Sequence, residues 1–409
     1  MSNLFNKKSL IVCKNYSYYP FLFKFKNTHP EFDIKIIDRN SLIDKVSCRF
    51  KKDPIPYLMV EESIEYSKAK KYVELLRVCD VSKNEKLNNL MSHLSSNDYL
   101  TKDDYGLFEL KQYENIYLFN MSNDNEVVNL LSRNDITVKC ISFSDLEIEE
   151  NKWPEIIYFQ NKFLQYFYIF SDIRRLIEEK PECKDNITLL IDDGDEFHVQ
   201  VVADIFDIPY YTNLSRSLIT EPKIKEKLGM FLANKNFDFE YEESDETLST
   251  LSSLINKYRL KEIKEFDEAY SNLLEIVSSF NISEITNKSG IGVTSKFNFD
   301  SNQIIYVTNF RHGSFYKEFS DSNVLTDKEL EEVGANPSYV LTKLDKEAKL
   351  GYLKYNNIMM LSRVKQHQSD SIYDSQFIDE FKLKKSIKQA KYNQNEWESF
   401  LSHWRLWNK

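Results

Sequence analysis

The sequence predicts an α/β protein with two parallel-sheet cores, each interrupted by a helical insertion. Three observations predict it. Short β-branched runs alternate with helix-period segments, the rhythm of βαβ units. Pairs of amphipathic helices break that rhythm twice. The chain has 409 residues, 42% of them hydrophobic, enough for more than one core.

Residues 8–14 (KSLIVCK) and 33–38 (DIKIID) read as parallel strands joined by a helix. ESIEYSKAKKYVELLRV then places Ala69, Tyr72, Val73 and Leu76 on one helical face, and KLNNLMSHL aligns Leu87, Leu90, Met91 and Leu94. Strands return at 115–120 (NIYLFN) and 137–142 (TVKCIS), with the helical NDNEVVNLLSRN between them. Residues 155–179 read as one apolar helix. Its polar Gln160, Asn161, Lys162 and Gln165 exclude a membrane span. A strand at 187–191 (ITLLI) and a helix at 196–206 (EFHVQVVADIF) follow. A helical pair comes next, with Leu248, Leu251, Leu254, Ile255 and Tyr258 in register, then Ile263, Phe266, Tyr270, Leu273, Leu274 and Val277. Strands at 303–310 (QIIYVTNF) and 357–363 (NIMMLSR) close the second core.

The formal net charge is −10 with both signs interspersed, which excludes a polybasic arm that grips nucleic acid through charge alone. The amino terminus lacks the apolar core and small-residue cleavage site of a signal peptide, so a cytoplasmic location without membrane contact is expected. Five cysteines at 13, 48, 79, 140 and 183 contain no close pair, and encode neither a disulfide framework nor a CxxC metal knuckle.

Chemistry is tested first on glycine. The eight glycines include no pair at the spacing of a Walker A loop, and GxGxxG fails because Gly290 and Gly292 are followed by Ser295. The run IDDGDEFH offers Asp192, Asp193, Asp195, Glu196 and His198 to a metal, but also reads as a capping box with Asp193 at the N-cap. Acid-x-Lys tripeptides abound, and only Asp33-Ile34-Lys35 falls on a predicted strand. HExxH and GxSxG are absent.

From about residue 187 the order of pieces carries a resemblance. ITLLIDDGDEFHVQVVADIFDIPYYTNLSRSLITEPKIKEKLGMFL, then NQIIYVTNFRHGSFYKEFSDSNVLTDKELEEVG and SDSIYDSQFIDEF, resemble the B subunit family of AddAB-type ATP-dependent helicase-nucleases and the related RecB-like proteins of the PD-(D/E)XK group. The resemblance spans roughly 187–381 and is weaker over 1–145. It implies a superfamily 1 helicase-like body. Residues 1–145 would form one RecA-like core with an insert at about 55–110, and 146–381 a second with an insert at about 215–290. Residues 382–409 would lead towards a nuclease domain missing from this chain.

The implied function is a non-catalytic DNA-binding scaffold in double-strand-break repair and recombination, partnered by a helicase motor or nuclease subunit. ATP hydrolysis is not expected, because CKNYSYYPFLFKF stands in place of the ATP loop without its glycines, lysine or hydroxyl. No cofactor is expected in this chain, while the family's nuclease half would use Mg and an iron-sulfur cluster. The loop after the strand at 303–310 would face DNA, with Asn309, Arg311, His312, Ser314 and Lys317 on phosphates and Phe310, Phe315 or Tyr316 stacking on bases. Thr326 and Glu329 would cap the helix after it. The alternative is a nucleotide-sugar or other small-molecule transferase on two Rossmann-like domains, with Asp192 or Asp193 on a metal in the cleft between them. A third option is a degenerate interaction module without activity.

Overall fold

The structure, a computed structural model, describes residues 5, 7–14, 18–47, 49–101, 105–122, 124–148, 151–152, 154–192, 194–212, 215–241, 244–283, 289–295, 297, 303–308, 310, 316–321, 323–364 and 385–386. In chain order the strands are β1 Ser9–Cys13, β2 Ile34–Asp38, β3 Arg49–Phe50, β4 Leu100–Thr101, β5 Asn115–Phe119, β6 Val138–Ile141, β7 Ile156–Phe159, β8 Ile187–Leu190, β9 Tyr210–Thr212, β10 Ser215–Ser217, β11 Asn281–Ser283, β12 Ile291–Thr294, β13 Ile304–Val307, β14 Asn357–Val364 and β15 Lys385–Ser386. Two parallel sheets hold eleven of them, one ordered β2-β1-β5-β6 and the other β15-β7-β14-β13-β8-β12-β9, while β3 with β4 and β10 with β11 form antiparallel pairs. The α/β class with parallel sheets is thus the observed one.

The first sheet has the order of flavodoxin-type doubly wound folds. β1 leaves through the Tyr19–Thr28 helix, whose Phe21, Leu22 and Phe25 join Ile11, Cys13, Tyr117 and Phe119 on one face. Its neighbour β5 leaves through the Asn125–Ser132 helix, whose Val127, Leu130 and Leu131 join Leu10, Val12, Ile116 and Leu118 on the other. Strict alternation along each strand sorts its side chains between the two layers. β1 and β5 therefore flank a switch point, where a crevice opens outside the strands' carboxyl ends.

The second sheet has its own. The connections β7 to β8 and β8 to β9 place the Lys162–Glu179 and Glu196–Phe206 helices on one face, over Ile187, Leu189, Tyr306 and Met360. β13 to β14 runs the opposite way and carries the Ser338–Lys354 helix on the other face, with Leu350 and Leu353 among Leu190, Ile305, Val307 and Leu361. That face shares its apolar layer with the first sheet, so Tyr18, Tyr117, Phe143 and Phe310 lie in a common core between the two units. At the edge of the second sheet, Gly290 lets the chain entering β12 approach the one entering β9 closely: its φ is +97°, and a Cβ would stand 1.9 Å from the Pro209 carbonyl.

One expectation about the elements is corrected. Residues 155–179 are not one helix. Ile156–Phe159 is a central strand, and the helix starts at Lys162, where the Asn161 side chain accepts from the Leu164 N–H at 2.9 Å. The two helical insertions pack against each other. Tyr66 N–H donates to Asn272 Oδ1 at 2.7 Å and Ser67 N–H to Glu275 Oε2 at 2.9 Å, while the Tyr66 and Tyr258 rings meet edge to face. The Tyr66–Val78, Glu85–Ser96, Glu246–Lys257 and Phe266–Ser279 helices bury one continuous core.

Candidate anion-binding cleft and sheet-end polar cluster

Outside the carboxyl ends of β1, β2 and β5 lies a cleft of about 650 Å³. Lys14 enters it directly after β1, Arg39 directly after β2, and Asp124 from the segment after β5. Phe319, Asn336, Leu344 and Asp345 of the second unit form the facing wall.

Most charges there are already matched. Arg39 Nε donates to Asp124 Oδ2 at 2.6 Å and its guanidinium also pairs with Glu126. Asn336 Nδ2 donates to Asp124 Oδ1 at 2.9 Å, and Asn336 Oδ1 accepts the Asn125 N–H at 3.0 Å. This network ties the second unit to the first. Nearer the rim, Arg77 pairs with Asp44, Lys71 with Glu74 at 3.4 Å, and Lys349 with Asp345 at 3.0 Å. Lys14 differs: it makes no hydrogen bond or ion pair among the described residues. Burial lowers its pKa, Asp345 and Asp124 oppose the fall, and Arg39 and Lys349 add to it. A part-buried ammonium in no direct ion pair at a switch point is a candidate anion contact, although Asp124 and Asp345 already lend it negative charge.

At the second sheet the carboxyl ends of β8, β13 and β14 meet a polar cluster. Asp195 stands at the N-cap of the Glu196–Phe206 helix but makes no capping hydrogen bond. The expected cap, Asp193, lies outside the described residues. The Asp195 carboxylate turns inward, its side chain 4% exposed, to pair with Lys162 and accept from the Tyr166 hydroxyl at 2.8 Å. The Tyr166 hydroxyl also reaches Thr308 Oγ1 at 3.4 Å. Gln165 Nε2 donates to Ser362 Oγ at 2.8 Å, which ties in β14. Burial, with Asp195 adding to it, holds the Tyr166 hydroxyl protonated by raising its pKa far above the usual value.

The DNA-facing loop is placed only in part. Asn309, Arg311, His312, Ser314 and Phe315 lie outside the described residues. Phe310 is 1% exposed and Tyr316 is buried beside it in the core between the units, so neither ring can stack on a base: their faces are spent on apolar packing. Lys317 is exposed. Its amide donates to Asp345 Oδ2 at 2.8 Å and its ammonium lies 4.9 Å from the Phe319 ring centre. Lys35 of the acid-x-Lys tripeptide points to solvent and pairs with Glu109 at 2.8 Å. Among the described residues, no group of three or more His, Cys, Asp or Glu side chains is placed to hold a metal ion, and no helix is long and apolar enough to cross a membrane.

Lys14 and Asp124 had a legible signal in the sequence, since Lys14 ends the strand predicted at 8–14 and Asp124 follows the one predicted at 115–120, the end at which α/β sheets bind ligands. Lys162 and Tyr166 had none, because the strand that precedes them was read as helix, whereas Asp195 stood in the carboxylate run after the strand predicted at 187–191. No family model matches the chain, and a search of curated proteins finds no match.

Proposed function

We propose that this chain is a group transferase that takes a nucleotide sugar, or a similar phosphorylated small molecule, into the cleft between its two sheets. Lys14 carries the reading. A phosphate beside it would give its ammonium the direct ion pair it does not make among the described residues, and would oppose the fall in pKa that burial causes. Such a donor needs no Walker loop, and a crevice at a switch point suits it.

Calorimetric titration with UDP-, GDP- and CMP-linked sugars tests this. At least one donor is expected to bind, and Lys14→Met should weaken it about 10–100-fold, the loss of one charged hydrogen bond of about 1.5–3 kcal/mol. Unchanged affinity in that variant removes the assignment. The second reading, a DNA-binding scaffold, has the exposed Lys317 in its favour. Salt-steep binding of forked DNA, with no donor bound, would replace the transferase reading with it.

A further inference from the structure

The cleft that Lys14 enters measures about 650 Å³, more than a phosphate needs and within the range, about 300–1,000 Å³, of pockets that enclose a whole small ligand. Away from Lys14 and Arg39 its lining changes character. Lys71, Glu74, Leu75 and Val78 share one face of the Tyr66–Val78 helix, and Leu341, Leu344 and Asp345 share one face of the Ser338–Lys354 helix opposite. Phe319 completes that second wall.

A half-buried phenylalanine ordinarily turns its ring onto an apolar core. Phe319 is half-buried yet joins none of the three apolar cores, and its ring meets no other ring among the described residues. What stands over it is a cation: the ammonium of Lys317, a residue that does not line the cleft, lies 4.9 Å from the ring centre. The backbone beneath the ring is nevertheless fixed. The Phe319 N–H donates to Thr342 Oγ1 at 2.9 Å and the Lys317 N–H to Asp345 Oδ2 at 2.8 Å, while the Thr342 hydroxyl donates to the Ser338 carbonyl at 3.0 Å. These bonds dock the segment on the helix that forms the wall, so the ring is preorganised in the cleft before a ligand arrives.

A preplaced ring outside every core, in a cleft that also holds the Lys14 ammonium, fits a ligand with a flat ring at one end and a phosphate at the other. A nucleobase has the π-face to stack on Phe319 and polar edges that suit the charged neighbours Lys71, Glu74 and Asp345. An alkyl chain would lay methylenes against those charges, and a simple sugar phosphate would leave the ring in water. We infer that Phe319 stacks on the base of the donor, so that the cleft takes nucleoside phosphates in preference to simple sugar phosphates. This deepens the transferase reading above and rests on it for the phosphate end of the ligand.

Titration of the full chain with UMP, CMP, GMP and AMP against ribose 5-phosphate, which keeps the sugar and phosphate but lacks a base, tests the stacking. At least one mononucleotide is expected to bind about 10-fold or more tightly than ribose 5-phosphate. Phe319→Leu should weaken that nucleotide about 5–150-fold and bring the two affinities together, whereas Phe319→Tyr, which keeps the ring, should retain the preference. In proton spectra the base signals of the bound nucleotide should move upfield in the wild type and not in Phe319→Leu. Ribose 5-phosphate bound as tightly as every nucleotide, or a preference that survives Phe319→Leu, overturns the inference and leaves the Lys14 assignment standing. A single-stranded oligonucleotide bound more tightly than any mononucleotide overturns it in favour of a strand. Mononucleotides held through Phe319 while no nucleotide sugar binds would remove the transferase reading and keep the stacking site. If none of these phosphates binds, both fall.

Discussion

Arg39 shows how one residue serves two units. It neutralises Asp124 and Glu126, and those carboxylates in turn hold Asn336 of the second unit through its side-chain amide and backbone N–H. Arg39→Met would strand two part-buried carboxylates, and is expected to cost about 3–5 kcal/mol, read as a lower urea midpoint. Glu109 provides a pH prediction. Hydrogen bonds from Lys35 and Lys45 hold its carboxyl at about 2, below its ordinary 4.5. A depressed carboxylate stabilises the fold above its unfolded value and stops doing so as pH falls through the folded one. The stability difference between wild type and Glu109→Gln should therefore shrink from pH 4.5 towards pH 2. A constant difference in acid unfolding curves would contradict this. The sequence shows that these residues are charged, but pairs 64 to 87 positions apart exist only once the strands are ordered.

At the scale of elements, period made most of the fold legible. The helices at Tyr66–Val78, Glu85–Ser96, Glu246–Lys257 and Phe266–Ser279 follow the apolar faces read from their spacing. Thr326 and Glu329 form the expected capping box, so Thr326→Ala should cost about 1 kcal/mol in thermal unfolding. β7 escaped because Ile156–Phe159 is apolar on both faces, a pattern that a buried helix shares. The start signal at Asn161 was the missed arbiter. β12 depends on Gly290, and Gly290→Ala is expected to cost about 2–4 kcal/mol, since it adds a clash with Pro209 to a positive φ. Equilibrium denaturation checks this.

For the whole molecule, strand order and the union of the insertions were beyond sequence reading, because periodicity carries no information about which distant segments meet. Asn272 is the centre of that union: buried, it accepts the first amide of the Tyr66–Val78 helix. Asn272→Ala should cost about 1–3 kcal/mol and speed proteolysis within both insertions together. Cleavage in one alone would refute their cooperation. The distance along the chain, 206 residues, also sets a clock. At about 5–20 residues per second, the first insertion leaves the ribosome roughly 10–40 s before its partner is made. Through that interval the Tyr66 amide and ring lack Asn272 and Tyr258, so the part of the first insertion that the second covers stays open to water while the chain is being made.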